Sequence, residues 1–402
     1  MHQIFFSPGT RGNSKADMLP SIRERGFNAF IERFKRLQPF VISPSIKGTM
    51  RGAGIGYKNR KYITHTTLPH IESALRTWSG GQIFVLLAFV YLIVVLTFYT
   101  PLLGARIFVT VLSVLYFADT VFNLFLVLRS ISKPVEITFT YKRLRNINES
   151  KLPIYSILCP LYQEAMIVPQ FLKAIAKMDW PKNKLDVMLL LEENDNETIE
   201  AIGRMPLPYY VRKIIVPHSS PKTKPKACNY GLSFARGELL VVFDAEDVPE
   251  PLQLKKAYLG FSTLPKNIRC LQAKLNYYNP HQNFLTRLFT AEYSLWFDLT
   301  LTGLQSLNSA IPLGGTSNHF RTADLRQLKG WDTFNVTEDA DLGIRLFKKG
   351  YKTAIIDSTT LEEANSVASN WFRQRSRWIK VISTGLLILL KTKKRLKTVS
   401  AK

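Results

Sequence analysis

The chain has 402 residues, with 54 Lys/Arg against 30 Asp/Glu and a formal charge of +24. Such an excess favours partners rich in negative charge: phosphates, nucleic acid or an anionic membrane face. Three widely spaced cysteines, Cys159, Cys228 and Cys270, with no CxxC and no zinc spacing, argue against a disulfide framework and read as buried thiols of a reducing compartment.

Residues 1–80 form a basic, largely flexible region, with thirteen Lys/Arg against Asp17, Glu24, Glu32 and Glu72. At most one amphipathic helix fits there, near Ile22 to Leu37. No charged stretch precedes an apolar run at the start, so no secretory signal is read. "KGTMRGAGIGYKNRKY" reads as a flexible stretch, and the "GAGIGYK" within it follows no strand and opens no helix, which excludes a phosphate loop. Residues 81–130 read as a transmembrane hairpin. The run 83–99 has no charge, "PLLGAR" (101–106) breaks it, and 107–128 carries only Asp119. A bilayer core needs roughly 20 apolar residues. Lys/Arg are dense on both outer flanks, at Arg129, Lys133, Lys142, Arg143 and Arg145 after the second run. The positive-inside rule then puts both flanks in the cytoplasm of a multi-pass plasma (inner) membrane protein. Asp119 either marks a polar pathway or is tied to Asn123 one turn on.

From Pro153 the pattern becomes α/β. "IYSILC" is a strand ending at Pro160, and "EAMIVPQFLKAIAKM" has helical spacing. "LDVMLLL" is a buried parallel strand, followed by a helix in "ETIEAIGRM" and a strand in "VRKIIV". "PKACNYGLSFARG" reads as a helix ending on Gly237, "ELLVVFD" as another buried strand, and "PEPLQLKKAYLGF" as a helix entered through proline. "FLTRLFTAEYSLWFDLTLTGLQ" (284–305) reads as an apolar helix of the core or a membrane surface. Strand–helix repeats in this order make an α/β domain over 150–365 with a doubly wound, mostly parallel sheet. In such sheets ligands sit beyond the carboxyl ends of the strands.

Polar side chains collect at those ends. Tyr162 and Glu164 follow the first strand, Glu192, Glu193 and Asp195 the second, three lysines including Lys226 the third, and Asp244, Glu246 and Asp247 the fourth. Alternate residues of extended chain point the same way, so Asp244 and Glu246 can address one ion. Hard oxygens with few other ligands suit Mg²⁺ or Mn²⁺ shared with a diphosphate. The plainer alternative is a solvated acidic loop ahead of the next helix. Further on, Thr337 is an N-cap candidate for a helix running to Lys349, with Glu338 and Asp339 in its first turn. Acids there complement the helix dipole, and one of them is equally well held to act as a base.

Pro160-x-Tyr162-Gln163-Glu164, Lys226 in "PKACNYGL", Asp244-x-Glu246, "VTEDADLGIRL" and Gln374-x-x-Arg377-Trp378 stand in the order seen in inverting glycosyltransferases of family 2. The last three together resemble its processive, cellulose-synthase-like membrane members that make bacterial exopolysaccharides. The resemblance covers roughly residues 80 to 380. It implies a GT-A fold, a nucleotide-diphospho-sugar donor (most often a UDP-sugar), a divalent ion and inversion at the anomeric carbon. By motif it gives Asp244 and Glu246 to the ion and diphosphate, and Asp339 to the general base. Tyr162, Glu164, Glu193 and Lys226 go to the donor site, and Glu338, Gln374, Arg377 and Trp378 to the acceptor and diphosphate. A diphosphate leaving group needs charge stabilisation but no proton, so one base suffices where a glycosidase needs two carboxyls. The loop "AIPLGGTSNHFRT" (310–322) either approaches the acceptor sugar, as in the family, or is an ordinary tight turn.

The chain departs from the family pattern in places. Gln163 replaces the commoner Asn, "EEND" replaces an Asp-rich nucleotide contact, and Glu246 is one carbon longer than Asp. Processive members continue past the tryptophan into further membrane helices. Here 366–402 reads as an interfacial helix carrying the Gln-x-x-Arg-Trp motif, a ten-residue apolar run too short to span and a basic tail. The expectation is therefore a truncated synthase acting on a growing β-glycan. The alternatives are transfer of one sugar to a lipid acceptor, or an inactive remnant. Expected partners are the nucleotide-sugar, a glycan or lipid-linked acceptor, membrane lipids and an accessory export subunit. No nucleic-acid recognition module is visible, and the charge sits near the chain's two ends.

Overall fold

The computed structural model describes residues 80–218, 222–335 and 337–376, together with Leu68 and two short strands upstream. Those strands, β1 (Ile55–Lys58) and β2 (Lys61–Thr64), pair antiparallel from Ile55↔Thr64 to Lys58↔Lys61. They place a short strand pair within the stretch expected to be largely flexible; β-branched and aromatic residues in "IGYK" and "KYIT" favour a paired strand. The helix expected near Ile22 to Leu37 lies outside the described residues.

Two helices follow, α1 (Gly80–Tyr99) and α2 (Pro101–Ser132). Both are long and apolar enough to cross a membrane, and their apolar windows are almost wholly exposed. The break between them is shorter than the sequence suggests. Thr100 alone separates them, because Pro101 suits the first helical turn and Gly104 lets the two backbones meet. A Cβ on Gly104 would lie 3.2 Å from the backbone of Leu96 and Thr97. Asn123 donates to Asp119 through Nδ2, at 3.1 Å from Oδ2 and 2.9 Å from the carbonyl, so this intrahelical tie is present.

The α/β domain is built on one eight-stranded sheet, ordered β5-β4-β3-β6-β9-β8-β10-β7. The strands are β3 (Tyr155–Leu161), β4 (Leu185–Glu192), β5 (Val211–Val216), β6 (Leu239–Val242), β7 (Val248–Pro249), β8 (Ile268–Tyr277), β9 (Asn318–Arg321) and β10 (Lys352–Glu362). The first four in space, β5 to β6, run parallel, and β8 and β10 run parallel to each other. β9 is antiparallel to both its neighbours, and β7 is antiparallel to β10. The sheet is therefore mixed rather than simply parallel. The strands of the parallel half read as unbroken apolar runs because both faces are covered. Ile157, Cys159, Val187 and Leu189 enter one core layer with Phe171 and Leu254. Leu158, Met188 and Leu190 enter the other with Leu232, Leu342 and Leu346.

Helices α3 (Val168–Lys177), α4 (Asn196–Gly203), α5 (Lys224–Phe234) and α6 (Gln253–Thr263) fill the crossovers. α5 stops three residues short of the expected Gly237. That glycine instead lets the chain slip past β3 into β6: a Cβ there would be 2.4 Å from the backbone nitrogen of Ser156. The apolar stretch 284–305 is helical throughout but not uniform. It runs as α7 (Phe284–Ser294), a π-helical turn over Leu295–Thr300, and α8 (Leu301–Ser306).

This composite helix seats the end of α2. Leu126 and Ser130 are buried, Arg129 Nε donates to Ser306 Oγ at 3.3 Å, and Gln305 Nε2 donates to the carbonyl of Val135 at 2.8 Å. Gly303 makes the contact; a Cβ added there would stand 2.5 Å from the carbonyl oxygen of Leu126. Gly303→Ala is expected to cost about 1–3 kcal/mol through this overlap. The loss would be read as a lower unfolding midpoint of the detergent-solubilised protein. An unchanged midpoint would mean that the seat yields freely.

Candidate active site

The carboxyl ends of β3, β4, β5 and β6 form one edge, and most of the expected polar residues collect there. α9 (Glu338–Lys348) aims its first turn at the same place. Asp244 lies just beyond β6 and is 36 % exposed. Lys224, the first residue of α5, reaches it with Nζ at 2.7 Å from Oδ1 and 2.8 Å from Oδ2. The same ammonium donates to the carbonyl of Gly315 at 2.6 Å.

Asp247 is fully buried behind this pair. Its Oδ2 accepts the backbone N–H of Asp244 at 2.7 Å and the hydroxyl of Thr316. Its Oδ1 has no hydrogen-bond partner among the described residues. Burial and the neighbouring Asp244 and Glu246 push Asp247 well above the usual carboxylate range. Gly315 and Thr316 belong to the 310–322 loop, which lies folded over the carboxylates. Gly314 N–H donates to Gln272 Oε1 at 2.8 Å and Ser317 N–H to the carbonyl of Val242 at 2.9 Å. A Cβ on Gly315 would meet nothing within 4 Å, so this backbone borders open space.

Glu338 and Asp339 are buried at the start of α9. Thr337 stands at the N-cap position but its side chain makes no cap bond. Asp339 Oδ1 instead accepts from the indole Nε1 of Trp331 at 3.1 Å. Burial pushes Asp339 up to about 7; Lys224 pulls it down, Asp244 raises it, and the Trp331 hydrogen bond favours the carboxylate. Burial and Asp339 hold Glu338 well above its ordinary value. A carboxyl poised near neutrality is well matched to accept a proton at neutral pH. Trp331 is itself fixed by a two-way bond with Asn229, whose Nδ2 donates to its carbonyl at 2.8 Å and whose Oδ1 accepts its N–H at 2.9 Å. Asp341, two residues on, plays a structural part and pairs with buried Arg345 at 2.7 Å.

Lys226 is the main departure. The motif points it to the donor site, yet its side chain is 0 % exposed and ion-paired to Glu192 Oε2 at 2.5 Å. Residues two apart on a helix point to nearly opposite faces, so Lys224, at the start of α5, takes the open position and Lys226 points inward. Burial lowers Lys226 and raises Glu192, each opposed by the other's charge. Glu193 is exposed, its Oε2 accepting the backbone N–H of His218 at 2.8 Å. Tyr162 lies near Lys222, whose Nζ is 5.9 Å from the ring centroid. Glu164 opens the turn into α3, its carbonyl accepting the N–H of Ile167 at 3.1 Å. Gln163 sits between them at φ +55°, a conformation that Asn or Gly tolerates better. Its N–H is held by Asp195 Oδ2 at 2.6 Å.

Gln374 lies on a further helix, α10 (368–376), with Oε1 accepting from Asn365 at 2.8 Å. Arg377 and Trp378 lie outside the described residues. The residue that pins α10 is Arg375, which pairs with Glu292 of α7 and lies 5.0 Å from the Phe289 ring centroid. Glu362, at the end of β10, joins the acid group: burial, then Asp247, Glu246 and Asp244, raise it well above its ordinary value. In the sequence Lys224 stood among three lysines after β5 with no role of its own, and Trp331 and Glu362 were passed over. The signal for Trp331 was a bulky indole in a polar stretch, since a buried indole N–H needs a partner.

Among the described residues no three His, Cys, Asp or Glu side chains form a ready metal cage. The donor set still suits a hard cation that brings its own ligands. Oxygen donors from Asp244, Glu246 and Asp247 stand in one short stretch after β6, one of them an unsatisfied buried oxygen on Asp247. A groove of about 510 Å³ lined by Lys142, Arg143, Lys151 and Tyr258 lies apart from this edge, beside the segment leading into β3.

The family model described as "Glycosyltransferase like family 2" matches residues 153–380. That is more than half of the chain, and the chain belongs to this family. Its mixed sheet with helices on both faces is GT-A-like, as that membership requires. Among curated proteins it is similar to "Probable glycosyltransferase YdaM" of Bacillus subtilis, 26% identical over 236 residues, 58% of this chain and 56% of that one. It is also similar to "Probable glucomannan 4-beta-mannosyltransferase 7" of Oryza sativa subsp. japonica, 25% identical over 290 residues, 67% of this chain and 48% of that one. The chain thus spans about half the length of these relatives. Among solved structures, a mannosyltransferase from Pyrobaculum calidifontis in complex with GDP-Man and Mn²⁺ aligns with a TM-score of 0.49 and 18% identity, over 63% of this chain and 70% of that one.

Proposed function

We propose that the protein is a membrane-bound inverting glycosyltransferase that moves a sugar from a nucleotide-diphospho-sugar to a growing β-glycan. The observation that supports this best is the facing pair of acid sites: Asp244 with Asp247 beyond β6, and Asp339 under Trp331 at the start of α9. Asp339 is the general base that takes the proton of the acceptor hydroxyl as its oxygen attacks the anomeric carbon. The bond to the diphosphate breaks as the new glycosidic bond forms, and the leaving group departs as the anion. Asp244 and Glu246, with Asp247 behind them, would hold the Mg²⁺ or Mn²⁺, which supplies charge stabilisation to the diphosphate. Tyr162, Glu164 and Glu193 border the donor side. Glu338 and Gln374, with Arg377 and Trp378, serve the acceptor and diphosphate. The apolar helices α1 and α2 anchor the domain at the cytoplasmic face of the plasma membrane.

A UDP-sugar is the first donor to test. The glucomannan mannosyltransferase names among the relatives favour a second reading, a mannosyl donor with a β-1,4 product. The test is release of UDP or GDP from a panel of UDP- and GDP-sugars, with Mg²⁺ or Mn²⁺, on detergent-solubilised full chain. Sizing of the product follows. Nucleotide release with a product longer than one added sugar supports the polymerase. A single added sugar supports the lipid-acceptor alternative. No release from any donor in the panel overturns the proposal.

A further inference from the structure

We infer that Lys224 is a tethered counter-ion that stands in for the divalent cation at Asp244 and makes cation binding depend on the nucleotide. The inference rests on the proposed role of Asp244. The ammonium spans both oxygens of Asp244 at 2.7 and 2.8 Å. A carboxylate gripped that way offers no lone pair in the favoured direction to an incoming ion. The third contact is the carbonyl of Gly315, at 2.6 Å, so oxygens surround the lysine as they would a metal. Through this pair Lys224 reaches into the group formed by Asp244, Glu246, Asp247, Glu338, Asp339 and Glu362. A single tethered charge facing so many carboxyls is held firmly.

Two cations cannot share Asp244 without repulsion. A divalent ion arriving alone must therefore break the grip of both Asp244 oxygens on the ammonium. An ion arriving with a nucleoside diphosphate brings phosphate oxygens, which accept the displaced ammonium. Free cation therefore binds weakly and nucleotide-bound cation tightly. By linkage the same coupling applies to the nucleotide, which binds more tightly when the ion is present. Lys226, two residues on, cannot act as this counter-ion because it is buried on Glu192.

The test is Mn²⁺ titration of the full chain in detergent, followed by electron paramagnetic resonance, with and without UDP and GDP. In the wild type a nucleoside diphosphate should tighten Mn²⁺ by about tenfold or more, which is about 1.4 kcal/mol of coupling. Lys224→Met should bind Mn²⁺ about tenfold more tightly than the wild type when no nucleotide is present, and most of the coupling should vanish. Lys224→Arg, which keeps the charge, should retain weak free-ion binding. Equal free Mn²⁺ affinity in Lys224→Met and wild type, with binding lost in Asp244→Asn, overturns the role of Lys224 alone. Wild-type Mn²⁺ affinity in Asp244→Asn overturns the cation site and Lys224's role together. Absence of coupling in the wild type overturns the inference without recourse to any variant.

Discussion

Replacing Asp339 with asparagine is expected to abolish sugar transfer while leaving donor binding intact. Asparagine has the same size, and its Oδ1 can still accept the Trp331 indole N–H that now lies 3.1 Å away. It has no carboxylate to take the acceptor proton, and loss of such a base lowers turnover by roughly 10²–10⁴-fold. Turnover near the wild-type rate would remove Asp339 from the role. The pH dependence follows from the same group. Burial has raised it to about 7, and only the ionised form can accept a proton. The kcat/KM of wild type should therefore climb about tenfold per pH unit up to about 7 and level off above it. Trp331→Phe removes a hydrogen bond that favours the carboxylate, so this limb should move to higher pH as the rate falls.

Stability should run the other way. Folding raises Asp339 from its ordinary 3.8 to about 7, so the folded state holds this proton more tightly than the unfolded one. The resulting stabilisation is complete below about 4 and lost as pH rises through about 7. Such a gap corresponds to on the order of 4 kcal/mol at most. Asp339→Asn should consequently be more stable than wild type at pH 8, in a thermal scan that reads no activity.

The second large effect is on folding. Lys226→Ala leaves Glu192 buried without its counter-charge, against a pair now at 2.5 Å with both side chains at 0 % exposure. Breaking one side of such a pair costs about 3–5 kcal/mol, roughly ten degrees or more of unfolding midpoint for a domain of this size. Replacing both at once, Glu192→Leu with Lys226→Met, should recover most of the loss, because an apolar pair of similar volume owes no desolvation. If Lys226→Ala instead keeps its midpoint and weakens donor binding, the lysine belongs to the donor site after all.

Lys226 also marks where a sequence stops being informative. Three lysines at 222, 224 and 226 look alike in one dimension. Their separation into a cleft residue and a core residue depends on which way the first turn of α5 faces β4 and β6. The parallel strands were legible for a physical reason: strands covered on both faces read as apolar runs, as in "LDVMLLL" and "ELLVV". β9 carries only "NHFR", and its insertion antiparallel between β6 and β8 left no such trace. The short acid spacings after β6 and before α9 were legible because function constrains residue type at close range. Glu362 was not. It reaches the acid group from the far end of an eleven-residue strand, over a hundred positions from Asp244. Proximity of that kind is a product of the sheet order.

The seat of Leu126 on Gly303 also governs how the site meets its acceptor. A domain hung from a limp linker sweeps a wide volume and finds its substrate by trial. Here the helix end is keyed into the same composite helix whose Glu292 anchors Arg375 and α10. From there Gln305 continues the link into the sheet, its Oε1 accepting the N–H of Ile355 at 2.7 Å. The height and bearing of Asp339 relative to the two apolar helices are thus set in advance.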